Sequence, residues 1–419
     1  MQITILALGS HGDVLPFAVL GKGLRKAGYQ VRIATMQNFR EMVESRGLEL
    51  FPFRGDAQAI LGGQAGMALA DSGSNVVKGI IETNKSFGAL ANEYTRALTE
   101  LSHFKTDLII NQLPVFGDDF CEKMGVPSFS AGVIPMTRNQ EFPIPLFPQL
   151  KLGRGYNALS YRLAEQMAWQ SFRKVINRWR VTGLGLSPKP FWGRFEYVSP
   201  NAYVLAGFSK YVVSRPQVWG ENVHVTGYWF PEDDPDWQPS EDLNAFLSAG
   251  PPPVFIGFGS MPIRDPQKTT QIVVEALQGC GQRGVLSGGW GGLGNAVLPD
   301  SILKIGYVPY TWLLPRVAGS VIHGGSGSTA SALRAGKPTL IIPFLMDQYF
   351  WGNRVFELGV GPRPIPFKKL TSEKLATAIA EMVDNPELHQ RAAVLGEKIQ
   401  AEDGVARAIE VIQQDPRLI

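Results

Sequence analysis

Short apolar runs along this chain alternate with stretches in which apolar residues recur every three or four positions. Ile3 to Leu8 reads as a strand, Pro16 to Ala27 as a helix and Gln30 to Thr35 as a second strand, the βαβ opening of a parallel sheet. The same grammar returns after residue 253. Val254 to Phe258, a helical pattern from Gln267 to Cys280, Gly284 to Ser287, Leu303 to Ile305, Val317 to Ile322 and Thr339 to Ile342 predict another parallel sheet. The pattern thus predicts an α/β protein of two doubly wound, Rossmann-like domains, residues 1–230 and 241–400, joined by the proline-rich, acidic linker PEDDPDWQPS at 231–240. Beyond them, Ser372 to Ile412 reads as two helices. In the first half, Leu159, Leu163, Phe172, Ile176 and Trp179 are read as sharing one helical face.

Length agrees with two domains, since 419 residues with 44% hydrophobic content exceed one ordinary core. A net charge of +3 is too mild to argue a nucleic-acid partner. Cys121 and Cys280, the only cysteines, supply neither a disulfide framework nor metal-ligand spacing. The N-terminus lacks a basic leader, and no run approaches the roughly 20 apolar residues of a spanning helix. A cytoplasmic protein is expected. The stretch 151–180 holds seven Lys or Arg against Glu165, so it reads either as a basic element lying on an anionic membrane or as a packed helix with solvated cations. No sequence signal speaks to oligomeric state.

The densest chemistry lies in VIHGGSGSTASALRAGKPTLIIPFLMDQYFWGNRV, residues 321–355. A strand ends at His323, the small-residue turn Gly324, Gly325, Ser326, Gly327, Ser328, Thr329 follows, and a helix runs on to Ala335. Glycines let the backbone approach an anion, and the unpaired N–H groups of the first helical turn then face it. A diphosphate fits this arrangement. His323 can donate to a phosphate oxygen, while Ser328 and Thr329 can cap the helix or touch the ligand. Asp347 and Gln348 follow the next strand, where an adjacent acid and amide suit a reader of sugar hydroxyls.

Together with GSHGDVLPF (9–17), IPMTRNQEFP (134–143), FIGFGSM (255–261) and YVPYTWLLP (307–315), this block resembles the family 1 glycosyltransferases of the GT-B fold. The likeness is strongest to the branch holding sterol glucosyltransferases and bacterial natural-product enzymes, and it spans nearly the whole chain. It implies two Rossmann-like domains facing across a cleft, a nucleotide-sugar donor such as UDP-glucose, and a hydroxyl acceptor on a sterol, lipid or polyketide-like aglycone. It also implies that the segment 401–419 crosses back to the N-terminal domain. Gly259 and Ser260 would then reach the diphosphate, Val308 and Pro309 the nucleobase through their backbone, with Trp290 lining that pocket. Plant-type members carry a ribose-binding glutamate where this chain has Ser331.

The resemblance places the general base in the turn after the first strand, at Asp13. His11 is the rival, because its ordinary pKa suits base catalysis and Asp118 or Asp119 could orient it. Structurally, Asp13 also reads as a helix cap, with Pro16 in the following helix's first turn. The triplet Asp234-Pro235-Asp236 has the spacing of a divalent-metal motif, but its proline-rich setting favours a solvated linker. Metal independence is therefore expected. The rival functions are a dTDP-deoxysugar transferase, an epimerase-type isomerase that needs no acceptor, and a non-catalytic sterol or lipid carrier.

Overall fold

The computed structural model describes residues 1–55, 91–113, 117–193, 198, 202–232, 236–289 and 291–418. Among them two compact units are resolved. One gathers the described residues up to 231 together with those from Asp403 onward, and the other runs from Glu232 to Glu402.

The first unit is built on a parallel sheet of β1 (Gln2–Leu6), β2 (Gln30–Met36), β3 (Glu49–Phe53), β4 (Leu108–Gln112), β5 (Ser128–Gly132), β6 (Tyr203–Ala206) and β7 (Val223–Val225), in the spatial order β3-β2-β1-β4-β5-β6-β7. The order reverses direction between β1 and β4, which pair with Ile5 opposite Ile110. A parallel sheet covered on both faces needs apolar residues on both. Ile3 and Ile5 accordingly join Phe17, Leu20 and Leu24 of helix α1 (His11–Lys26), while Leu6 and Ile109 join Phe120 and Trp179 in a separate cluster.

Helix α1 begins five residues before the expected start at Pro16. Ser10 caps it, and the carboxylate of Asp13 at the third helical position reaches back to the Ser10 N–H. Pro16 therefore lies inside the helix and removes one backbone donor from it.

The stretch from Ser372 to Ile412, expected as two helices, belongs to three. They are Ser372–Asp384, Pro386–Gln400 and Gly404–Gln413, interrupted where the side chains of Asn385 and Asp403 cap the next helix. The last of these packs on α1, its Ala408, Val411 and Ile412 entering the cluster around Phe17. Gly23 makes this contact close, because a Cβ there would lie 2.4 Å from Val405 Cγ1. Gly23→Leu is expected to cost about 1–3 kcal/mol through overpacking. An unchanged melting temperature would show that the two helices do not meet this tightly.

Helix α3 (Arg154–Trp179) follows α2 (Asp118–Met124) and corrects the single face read from sequence. Ile176 and Trp179 are buried with Tyr161 and Trp169, whereas Leu159 and Leu163 are exposed. At 100° per residue, positions 159 and 163 lie opposite 172, 176 and 179, so the five residues belong to two faces.

The second unit carries β8 (Val254–Gly257), β9 (Gly284–Ser287), β10 (Ile302–Ile305), β11 (Gly319–Ile322) and β12 (Thr339–Ile341), all parallel, in the order β10-β9-β8-β11-β12. Its direction reverses between β8 and β11. Val254, Ile256, Leu286, Val321 and Leu340 form the core with Leu375, Ile379 and Met382 of the helix Ser372–Asp384. Of the expected linker, residues 233–235 and hence Asp234 and Pro235 lie outside the described residues.

Candidate functional site

In an open α/β sheet the crevice at the strand-order reversal, beyond the carboxyl ends of the strands, is where ligands bind. In the second unit those ends are Gly257 of β8 and Ile322 of β11, and the chain leaving each one meets at His323. The imidazole lies between two glycines: a Cβ on Gly259 would sit 2.8 Å from its Cε1, and one on Gly325 would sit 2.6 Å from its Nε2. Gly259 has φ +57° and Gly324 φ +90°, conformations that glycine adopts at no steric cost. His323 is buried, and desolvation pushes its pKa down to about 4, so the ring is neutral near pH 7. Its Nδ1 has no hydrogen-bond partner among the described residues.

Gly325 then caps helix α5 (Ser326–Arg334), which follows the short α4 (Tyr310–Leu313). Gly325 offers no side chain to the helix start, and the first intrahelical bond is donated by Thr329 to the Gly325 carbonyl. The N–H groups of Ser326, Gly327 and Ser328 precede that bond, so the helix does not satisfy them. A helix start whose first N–H groups lie outside the helical ladder, beside a buried imidazole with no partner at Nδ1 among the described residues, is suited to an anion.

The flanking residues divide into those free to serve a ligand and those engaged in the fold. Ser328 is hydrogen-bonded to the Tyr310 phenol, which ties α4 to α5 just after Val308 and Pro309. Thr329 is fully buried, and its hydroxyl has no hydrogen-bond partner among the described residues. Ser331 donates to the Gly327 carbonyl at 3.0 Å. Ser260 follows Gly259 and is half-buried. Trp290 lies outside the described residues.

Asp347 and Gln348 stand at the start of helix α6 (Gln348–Glu357). The Gln348 carbonyl oxygen accepts from the backbone N–H groups of Phe344 and Leu345 at 2.8 and 3.2 Å, and its amide donates to Met261 Sδ at 3.1 Å. Asp347 Oδ2 accepts from Trp351 Nε1 at 3.0 Å. Each side chain is thus oriented by one end. Met346 before them has φ +50°, a left-handed conformation disfavoured for a residue with a Cβ, which re-aims the chain into the pair.

The first unit has a comparable arrangement at its own reversal, where β1 leads into α1. The Asp13 Oδ2 accepts from the Ser10 N–H at 2.7 Å and the Ser10 hydroxyl at 2.8 Å, over a Gly9 of φ +127° on which a Cβ would lie 2.4 Å away. Desolvation raises the Asp13 pKa, against the opposing pull of the two Ser10 bonds. Desolvation and the Arg46 guanidinium both lower that of His11.

Both acids proposed to orient His11 have partners of their own among the described residues. Asp119 is buried against Arg180 Nη1 at 2.5 Å and Lys189 Nζ at 2.7 Å, where paired cations offset the cost of its burial. Asp118 accepts from Asn111 Nδ2 at 3.3 Å.

Sequence reading missed Gln112 at the end of β4. Its carbonyl oxygen accepts from the Leu8 N–H at 2.5 Å, and its amide donates to the Asp13 carbonyl at 3.4 Å. One side chain therefore pins both ends of the turn that carries Asp13. A polar residue closing an otherwise apolar strand was its only signal.

Residues 3–143 match the glycosyltransferase family 28 N-terminal domain, and residues 292–414 match the C-terminal domain of the erythromycin biosynthesis protein CIII-like family. Over 99% of its length the chain is 36% identical to a sterol 3-beta-glucosyltransferase of Arabidopsis thaliana, of which it covers 68%. It is 34% identical over 99% of its length to a sterol 3-beta-glucosyltransferase of Neurospora crassa, of which it covers 27%. The chain therefore spans about two thirds of the plant relative and under a third of the fungal one. Among solved structures, the glycosyltransferase of kitacinnamycin superposes with a TM-score of 0.70 at 17% identity, covering 99% of this chain and 98% of that one. The calicheamicin glycosyltransferase gives 0.69 at 16%, with 98% and 97% covered. These likenesses carry the fold, two parallel-sheet α/β domains of the GT-B type.

Proposed function

The chain belongs to the glycosyltransferase family of the sterol 3-beta-glucosyltransferases, and from that premise we propose that it moves glucose from UDP-glucose to a sterol hydroxyl in one inverting displacement. The observation that carries the donor half is His323: a buried, neutral imidazole with an unpartnered nitrogen at the glycine-capped start of α5. A diphosphate would satisfy that nitrogen and the N–H groups of Gly327 and Ser328 together.

In the proposed reaction Asp13 takes the proton of the acceptor hydroxyl as its oxygen attacks the anomeric carbon. The bond from that carbon to the diphosphate oxygen breaks, and UDP leaves with the electron pair. The acceptor-proton path favours Asp13 over His11, because its raised pKa makes the carboxylate a stronger base than an exposed one. The growing charge on the diphosphate falls on the α5 start and His323. Asp347, whose Oδ2 is held by Trp351, and Gln348, whose carbonyl oxygen is held by the Phe344 and Leu345 N–H groups, would read neighbouring sugar hydroxyls. Gly259 and Ser260 would border the diphosphate, and the backbone of Val308 and Pro309 the nucleobase. With Ser331 bonded into its own helix, the ribose has no acidic partner at that position.

Incubating the protein with UDP-glucose and a dispersed sterol should yield a product heavier by one hexose, with β configuration from an α donor. A product with retained configuration, or none with any sterol, would overturn the reading. Because the leaving group is stabilised by backbone and imidazole, transfer is expected to persist after exhaustive chelation. Recovery only on adding magnesium would refute that point.

A further inference from the structure

We propose that the exposed ridge of α3, together with the turn at Phe191 and Trp192, is a docking surface for an anionic lipid bilayer. Trp192 is 78% exposed and Phe191 52%. This exposure is held in place. The Phe191 carbonyl accepts from Trp169 Nε1 and from Gln170 Nε2, each at 2.9 Å, and the Gly193 carbonyl accepts from Gln166 Nε2 at 3.0 Å. Upstream, Asn177 and Lys189 exchange two bonds of 2.9 Å. The Arg173 guanidinium lies 4.6 Å from the Phe191 ring centre, and the Phe191 and Trp192 rings meet edge-on. The turn is stapled along α3 and presents its indole outward.

The same side of α3 continues the surface. Positions 159, 163, 170 and 174 recur at spacings of four, seven and four, so Leu159, Leu163, Gln170 and Lys174 form one ridge, all exposed. Leu150 and Leu152, just before the helix, are exposed as well. The charge on the helix has one sign outward. Arg154, Arg162, Arg173, Lys174 and Arg178 are its cations, and its single acid, Glu165, is buried in a pair with Arg138.

Apolar side chains spread among cations, with a Trp at their edge, match the interfacial zone of a bilayer. There the indole sits at headgroup level, leucines reach the acyl boundary and cations meet anionic headgroups. This complementarity selects a lipid surface over an apolar protein groove. Its use rests on the proposed sterol acceptor, which resides in such a surface.

The test is co-sedimentation of the full chain with phosphatidylcholine vesicles, with and without phosphatidylserine. The wild type is expected to bind the anionic vesicles preferentially, less so as salt rises. Lys174→Glu with Arg178→Glu should weaken binding by about fivefold or more per cation reversed. Trp192→Ser should weaken it without altering transfer to a dispersed sterol. Failure of the wild type to bind, equal binding to neutral vesicles, wild-type binding by both variants, or self-association that Trp192→Ser abolishes would overturn the proposal. Vesicle binding without transfer to any sterol would count against the sterol reading and leave the surface supported.

Discussion

Replacing Asp13 by Asn should lower the transfer rate by about a hundredfold to ten-thousandfold while leaving UDP binding unchanged. Asn keeps an oxygen that can accept from the Ser10 N–H and hydroxyl, so the helix start is preserved and the loss can be read as chemistry. The sign of the stability effect follows from the raised pKa. A carboxyl held above its unfolded value contributes stability below that unfolded value, and the contribution is lost as pH rises through the folded pKa. At neutral pH the charged Asp13 is thus a burden on the fold, and the Asn variant should melt no lower than the wild type by this effect alone. Rate should fall on the acid side at a pH above the ordinary carboxylate range. Wild-type activity in the variant would dismiss Asp13 as the base and point to His11.

The second large effect is on the donor. His323→Ala should weaken UDP binding by roughly tenfold to a hundredfold, the loss of a hydrogen bond to a charged group. Gly325→Ala should do much the same with the histidine intact, because its Cβ would lie 2.6 Å from Nε2 and displace the ring. Titration calorimetry with UDP separates the two sites, since Asp13→Asn should leave this affinity alone. Unaltered UDP affinity in both donor-site variants would remove His323 from the diphosphate. The buried ring also sets a pH window. Its folded pKa is about 4 against an ordinary 6.5, so its contribution to stability is complete above 6.5 and is lost as pH falls from there toward 4.

The donor block was legible in sequence because its chemistry is local: a strand, two glycines and a helix start are consecutive residues, and their backbone needs are written in residue type. What lies across the sheet was not legible. Gln112 reaches the Asp13 turn from a strand about a hundred residues away, and Asp119 is taken by Arg180, 61 positions on. Gly259 reads as a strand end until the imidazole of His323 is seen against it. Helical periodicity misassigned α3 because both of its faces carry large apolar residues, one buried and one exposed, and spacing alone does not say which is which.

Among the described residues, the first unit is left after residue 231 and re-entered at Asp403, so both chain ends belong to it. Arg417 near the C-terminus covers the Tyr203 ring at 3.7 Å and donates to the Ser128 carbonyl, beside strands laid down long before it. For exchange of parts between relatives, this makes the second unit a cassette with two junctions. A chimaera joined only once, near residue 231, would import a foreign terminal helix onto Gly23, where the fit to Val405 leaves no room for a bulkier neighbour. Donor preference is therefore best transplanted by exchanging residues 232–402 and retaining the native tail.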